Sequence, residues 1–158
     1  GSFEDPWQTV APANKKDFQP GDQIFFRGGS SYAGPLRLTL EDSGSPELNV
    51  QVASYGIGRA VLDGRDGAAL TVEGSSHVTI MQLNLVGSGR KSGNTKSGLL
   101  ISGSGNITVD SVDVSGFLKS GVRIDGSRNV RLTRIHAFNN GFAGIASMGE
   151  LSENIYVG

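Results

Sequence analysis

The 158 residues balance 14 basic against 15 acidic side chains for a formal net charge of −1, which argues against bulk electrostatic attraction to nucleic acid. No cysteine is present, which excludes a disulfide framework and thiolate metal sites, and no run of about 18 or more apolar residues exists to cross a membrane as a helix. Glycine is the outlier, with 24 residues spread along the chain, about twice the usual share of roughly 7%, so it punctuates the structure at many points.

In chain order, the first 20 residues contain Gly1-Ser2, Pro6-Trp7-Gln8-Thr9 and Gln19-Pro20. Gly1 is not an initiating residue, which points to a processed or truncated chain, and an opening Gly-Ser is also what a cloning scar leaves. Farther on, Leu62-Asp63-Gly64-Arg65-Asp66-Gly67 holds two Asp-Gly pairs, which are turn signals first, so Asp63 and Asp66 are assigned to corners. From Ala69 a repeat emerges. The stretch ALTVEGSSHVTIMQLNLVG, ending at Gly87, matches SGLLISGSGNITVDSVDVSGFLK, beginning at Ser97, with Val72 on Ile101, Gly74 on Gly103 and His77 on Asn106. The additional residues of the first unit form a polar loop insertion, GSGRKSGNTK, over 87–96. The unit from Ser97 then aligns without gaps to SGVRIDGSRNVRLTRIHAFNNGF, beginning at Ser120, with Gly98 on Gly121, Ile101 on Ile124 and Asn106 on Asn129. Gly144 and Asn154 continue the series.

Inside each unit the period is two. Val122 and Ile124 alternate with Arg123 and Asp125, and Val130 and Leu132 flank Arg131, as in short strands with one buried face. No stretch carries an apolar stripe at helical spacing. A unit of this length has no room for a helix of its own, and its Gly-Ser pairs mark corners. Equal registers let each strand pair in parallel with its counterpart one unit on, about 4.8 Å away. The fold expected is all-β, a right-handed parallel β-helix. In it Asn106 and Asn129 form a stacked column that hydrogen-bonds along the axis.

The segment Gln19-Pro20-Gly21-Asp22-Gln23-Ile24-Phe25-Phe26-Arg27-Gly28-Gly29 resembles the first coil of secreted β-helix proteins that act on polysaccharides, the pectate-lyase-like superfamily. Ser31-Tyr32-Ala33-Gly34, Ser43-Gly44, Ser54-Tyr55-Gly56 and Ala60 to Gly64 continue that pattern, and Pro6-Trp7-Gln8-Thr9 after Gly1-Ser2 is similar to its lead-in. The resemblance and the repeat together give one domain over 1–158, with an opening segment at 1–20 and first coils at 21–66 as the resemblance implies, and repeats of about 23 residues at 67–158. It implies a bacterial protein that is secreted, periplasmic or on the cell surface. The opening is shared by lyases, hydrolases and other members, so activity has to come from a site.

Stacked units place side chains in outward columns, one of them Asn84, Asp113 and His136, another Thr79, Thr108 and Arg131. Glu73, Ser102 and Asp125 form a third, and Thr71, Leu100 and Arg123 a fourth. Asp113 beside His136 is the candidate catalytic pair, since a carboxylate next to an imidazole can orient a general base. Arg123, Arg131 and Arg134 are candidate substrate-binding cations for the carboxylates of a uronic-acid polymer. Alternating outward charges also describe a solvated sheet face. By the resemblance Lys119 is a further candidate base, and by position it is a loop lysine. The resemblance also implies Ca²⁺ held by carboxylates, but the sequence shows no carboxylate cluster, and two histidines without cysteine leave no zinc set. Trp7, Tyr32, Phe117, Phe138 and Phe142 are available for sugar stacking, with Phe117 and Phe142 either a small platform or loop packing. The expected activity is β-elimination on an acidic polysaccharide. The alternatives are a hydrolase of the same fold using paired Asp residues and a non-catalytic carbohydrate-binding or adhesion module. The run Asn154-Ile155-Tyr156-Val157-Gly158 brings no polar cap, so the expectation is the N-terminal portion of a longer helix, or association of this end with another subunit.

Overall fold

The computed structural model describes Ser2, residues 4–149 and residues 151–158; Gly1, part of the opening motif, lies outside the described residues. In chain order the strands are β1 (Gln23–Arg27), β2 (Ser31–Ala33), β3 (Leu36–Leu38), β4 (Val50–Tyr55), β5 (Ala60–Arg65), β6 (Leu70–Glu73) and β7 (Ser76–Gly87). They continue as β8 (Leu99–Ser102), β9 (Gly105–Ser115), β10 (Val122–Asp125), β11 (Arg128–Thr133), β12 (His136–Phe138), β13 (Ile145–Met148) and β14 (Glu153–Val157). Two short 3-10 turns, Ala13–Lys15 and Leu40–Asp42, are the helical elements among the described residues.

The strand pairings are parallel, and each strand meets its counterpart one repeat away. One sheet runs β3, β6, β8, β10, β13; the other runs β1, β4, β7, β9, β11, β14, with β5 joined to β7, β2 to β5 and β12 to β9. The expected registers hold: Ile101 faces Ile124, Thr108 faces Arg131, and Asn84, Asp113 and His136 are successive partners. The three strand pieces of each unit are not all separate, because β7 and β9 pass through a corner without ending. They bend at Gln82 and Ser111, which hold φ of 56° and 54°, and Arg134 takes the same conformation between β11 and β12.

The repeat makes this geometry affordable locally. Inward positions of β6 to β11 are apolar and sealed, with Val72, Ile101 and Ile124 in one row and Val78, Ile107 and Val130 in another. At the corner after β8 and β10, Gly103 and Gly126 adopt φ of 57° and 52°, a left-handed conformation that glycine enters without Cβ strain. Three residues later Asn106 and Asn129 do the same, as asparagine tolerates better than most residues. Their side chains form the expected ladder: Asn154 donates to Asn129 at 3.1 Å, Asn129 donates to Asn106 at 3.0 Å, and Asn106 Nδ2 lies 3.2 Å from His77 Nε2. The opening segment is tied to the stack by buried Asp42, whose carboxylate accepts the Phe18 N–H at 2.9 Å and the Thr39 N–H at 2.7 Å.

Candidate functional site

The outward face of β5, the second half of β7, the second half of β9 and β12 brings Val61, Asn84, Asp113 and His136 into one row. In this row a polar side chain occurs at each of three successive strands, about 4.8 Å apart. Among the described residues the hydrogen bond of Asp113 goes to Arg59 and none goes to the imidazole. Asp113 Oδ1 accepts it from Arg59 Nη1 at 2.9 Å, and both side chains are about one-third exposed. His136 is exposed and stacks on Phe138, with ring centroids 4.6 Å apart and 30° between planes. The amide oxygen of Asn84 is buried and has no hydrogen-bond partner among the described residues. An unpaired buried acceptor costs about 1–3 kcal/mol.

Arg59 is the residue that sequence reasoning missed. It stands just before β5, and β5 pairs with β7 at an offset of 23, Val61 facing Asn84. That offset is the same as the one between β9 and β12, and extending the repeat upstream by one strand would have set Arg59 beside the row.

The other candidates fall elsewhere. Arg134 occupies a corner, where its Nε donates to Ser111 Oγ at 2.9 Å and its Nη2 pairs with the Asp110 carboxylate. Thr133, donating at 2.6 Å, holds the Asp110 carboxyl below its ordinary range, and Arg134 and Ser111 add to this against the opposing cost of desolvation. Arg131 lies on β11 with its guanidinium over the Tyr156 ring, 4.4 Å from the centroid. Arg123 is on the other sheet, paired with Asp125 at 2.7 Å. Lys119 is exposed on the corner that follows β9. The structure therefore brings Asp113 and His136 together and leaves the four remaining candidates on separate faces and corners.

The aromatic platform does not form. Phe117 is sealed in the core, where a Cβ on Gly98 would stand 2.5 Å from Val114 Cγ1 and 2.6 Å from the Phe117 ring, while Phe142 is 69% exposed. Tyr32 is also structural, edge-on to Phe26 at 4.9 Å and accepting the Arg27 N–H at 3.2 Å. Among the described residues no three His, Asp or Glu side chains come together as metal ligands. Asp110, Asp113 and Asp125 are each engaged by an arginine, so the residues present do not fit a Ca²⁺ site.

No family model matches the sequence, and no curated protein matches it. The fold, by contrast, has known counterparts. It is shared with an alginate lyase from Paenibacillus sp. str. FPU-7, at TM-score 0.76 and 20% identity over 95% of this chain and 56% of that one. A GH136 lacto-N-biosidase from Eubacterium ramulus superposes at TM-score 0.78 and 15% identity, over 99% of this chain and 38% of the other. A rhamnogalacturonan lyase follows at TM-score 0.57 and 13% identity, covering 99% and 48%. The chain thus spans between 38% and 56% of the length of these proteins. The likeness is one of fold: an all-β, parallel-stranded architecture found in carbohydrate-active enzymes.

Proposed function

We propose that these repeats form a right-handed parallel β-helix of the pectate-lyase-like kind, and that the protein cleaves a uronic-acid-containing polysaccharide by β-elimination. The handedness follows from the crossover rule for parallel strands. The observation that carries the catalytic reading is the row in which Asp113 holds Arg59 on one side and neighbours His136 on the other. In this reading His136 accepts the C5 proton of the uronate. The C5–H electrons form the C4–C5 double bond, and the C4–O4 bond breaks with its pair leaving on oxygen, which takes a proton from solvent. Negative charge builds on the uronate carboxylate as C5 is deprotonated. The N–H donors of Arg59 not engaged by Asp113 are the cationic partner for it, and Asp113 is the positioning residue that fixes the guanidinium.

Elimination is favoured over hydrolysis by the state of the carboxylates. A paired-carboxylate glycosidase needs one carboxyl held protonated as general acid. Asp110 is instead drawn toward its ionised form by Thr133 and Arg134, and Asp113 is paired with Arg59. A polymeric substrate is met outside the cytoplasm, so this reading includes export to the medium, periplasm or cell surface.

The test is an assay of the protein on pectate, alginate and glycosaminoglycans, followed by the ultraviolet absorbance of unsaturated uronate. Expected is absorbing product whose rate falls about 10²- to 10⁴-fold in His136→Ala, with Arg59→Gln also slowed. Reducing ends released without that absorbance would mean hydrolysis, and no product on any uronate polymer would leave the non-catalytic module.

A further inference from the structure

The corner that follows β5, β7, β9 and β12 gathers charge that the proposed site does not use. Residues 64–68, 87–97, 116–121 and 139–144 stack there. Gly89 N donates to Gly116 O at 2.9 Å, Thr95 N to Asp66 O at 3.1 Å, Lys119 N to Lys96 O at 3.1 Å and Phe142 N to Lys119 O at 3.1 Å. The inserted loop reaches along the stack to the last of these segments, since a Cβ on Gly141 would stand 3.0 Å from the Arg90 carbonyl. The loop therefore lies flat against the corner and does not extend away from it.

These segments carry Arg65, Arg90, Lys91, Lys96 and Lys119, and a single carboxylate, Asp66, in a chain whose net charge is −1. All five cations are exposed, and none is in an ion pair among the described residues. Asp66 is turned to the Ser88 hydroxyl, which it accepts at 2.9 Å. Elsewhere Arg59, Arg123 and Arg134 each have a carboxylate and, among the described residues, Arg27, Arg37, Arg128 and Arg131 do not, so what sets the corner apart is the gathering of five cations with one carboxylate. Like charges gathered without counter-charge repel one another, and a bound polyanion relieves that repulsion. In the same corner Phe142 is 69% exposed, and it follows Lys119 within one hydrogen bond.

We propose that this corner is a docking ridge for an anionic polysaccharide. Cations presented from adjacent levels of the stack, about 4.8 Å apart, pair with successive carboxylate or sulfate groups, and Phe142 offers its ring to a sugar face. An acidic polysaccharide fits better than nucleic acid, because the surface outside the corner carries the excess of negative charge and repels a polyanion of higher charge density. The ridge runs alongside the row of Asn84, Asp113 and His136, at the C-terminal ends of the same strands, with Phe138 between His136 and the corner. The inference rests on the reading of the protein as polysaccharide-active, but it does not require His136 to be a base.

The test is retardation of the protein in native gels cast with polygalacturonate, alginate, heparin or dextran, together with binding of an oligothymidylate. Wild type should be retarded by the anionic polymers and not by dextran, and retardation should fade as salt shortens the Debye length from about 10 Å at 0.1 M to about 3 Å at 1 M. The combined variant Arg90→Gln, Lys91→Gln, Lys96→Gln and Lys119→Gln, folded as judged by circular dichroism and melting, should bind about tenfold more weakly or worse. Phe142→Ser alone should weaken binding, and Arg37→Gln, which removes an exposed cation on β3 of the other sheet, should bind as wild type does. Wild-type binding by the combined variant, oligothymidylate bound as tightly as the uronate polymers, loss of binding in Arg37→Gln, or no retardation at all would each overturn the ridge. Failure to form unsaturated product, by contrast, would touch only the catalytic reading.

Discussion

At the scale of single residues, Asp110 shows how a side chain that resembles a catalytic acid is committed to structure. It sits at a corner, where Thr133 donates to it at 2.6 Å and the left-handed Arg134 folds back onto it. Its pKa is lowered, chiefly by Thr133, so the folded state favours the carboxylate. A group with a depressed folded pKa contributes stability that is fully present above its ordinary pKa, ~3.9 for Asp, and lost as pH falls through the folded value. Asp110→Asn should therefore cost stability at pH 7 and lose that cost progressively below about pH 4. Urea melts of both proteins at pH 7 and pH 3 measure it, and an equal difference at the two pH values would show that the carboxylate charge is not what stabilises this corner. Thr133→Val should move the Asp110 titration back toward its ordinary range, read by NMR.

At the scale of elements, the inserted loop between β7 and β8 is polar and glycine-rich, a composition that suggests mobility, yet it is anchored. Asn94 is buried, its Nδ2 donates to the carbonyls of Arg65 at 2.6 Å and Gly67 at 2.7 Å, and its Oδ1 accepts the Lys96 N–H at 2.8 Å. One amide thus ties the loop to the turn below it and holds Lys96 in place. Asn94→Ala leaves these backbone groups to water or to nothing, which costs about 1–3 kcal/mol. The expected outcome is a melting temperature lower by several degrees and, with no charge removed, weaker retention by acidic polysaccharide. A variant that melts lower but binds fully would mean that the cations do not depend on the loop's conformation. The sequence marks Asn94 only as one of several polar loop residues. Its role depends on burial, and burial here comes from Gly87 and Gly98 letting the loop and Phe117 close against the stack.

At the scale of the whole molecule, the legible part of the fold is the part where insertions are absent. From β8 to β13 successive strands are 23 residues apart, so glycines, apolar positions and the Asn column coincide when the sequence is laid out. Upstream, β1 to β4 is offset by 28, β2 to β5 by 30 and β3 to β6 by 34, because the residues between strands differ in number at each corner. There the period blurs, and Arg59 disappears from view although it stands closest to Asp113. The row of Asp113 and His136 was legible because register alone sets it; the direction in which Asp113 turns was not, because a long arginine reaches across levels. In the proposed β-helix each level is held by its neighbours, and stability follows the same one-dimensional order. β7 and β9 have partners on both sides along their length and inward residues that are wholly buried. β13 and β14 present largely exposed or half-buried residues, with Ile145 and Ile155 only partly covered. Amide exchange in the 158-residue chain should follow this gradient, slowest in β7 and β9 and fastest in β14, because local opening needs less free energy where less apolar surface is buried. Uniform protection from β4 to β14 would mean that the levels unfold as one unit, and the stack would then be a cooperative block with no fraying end.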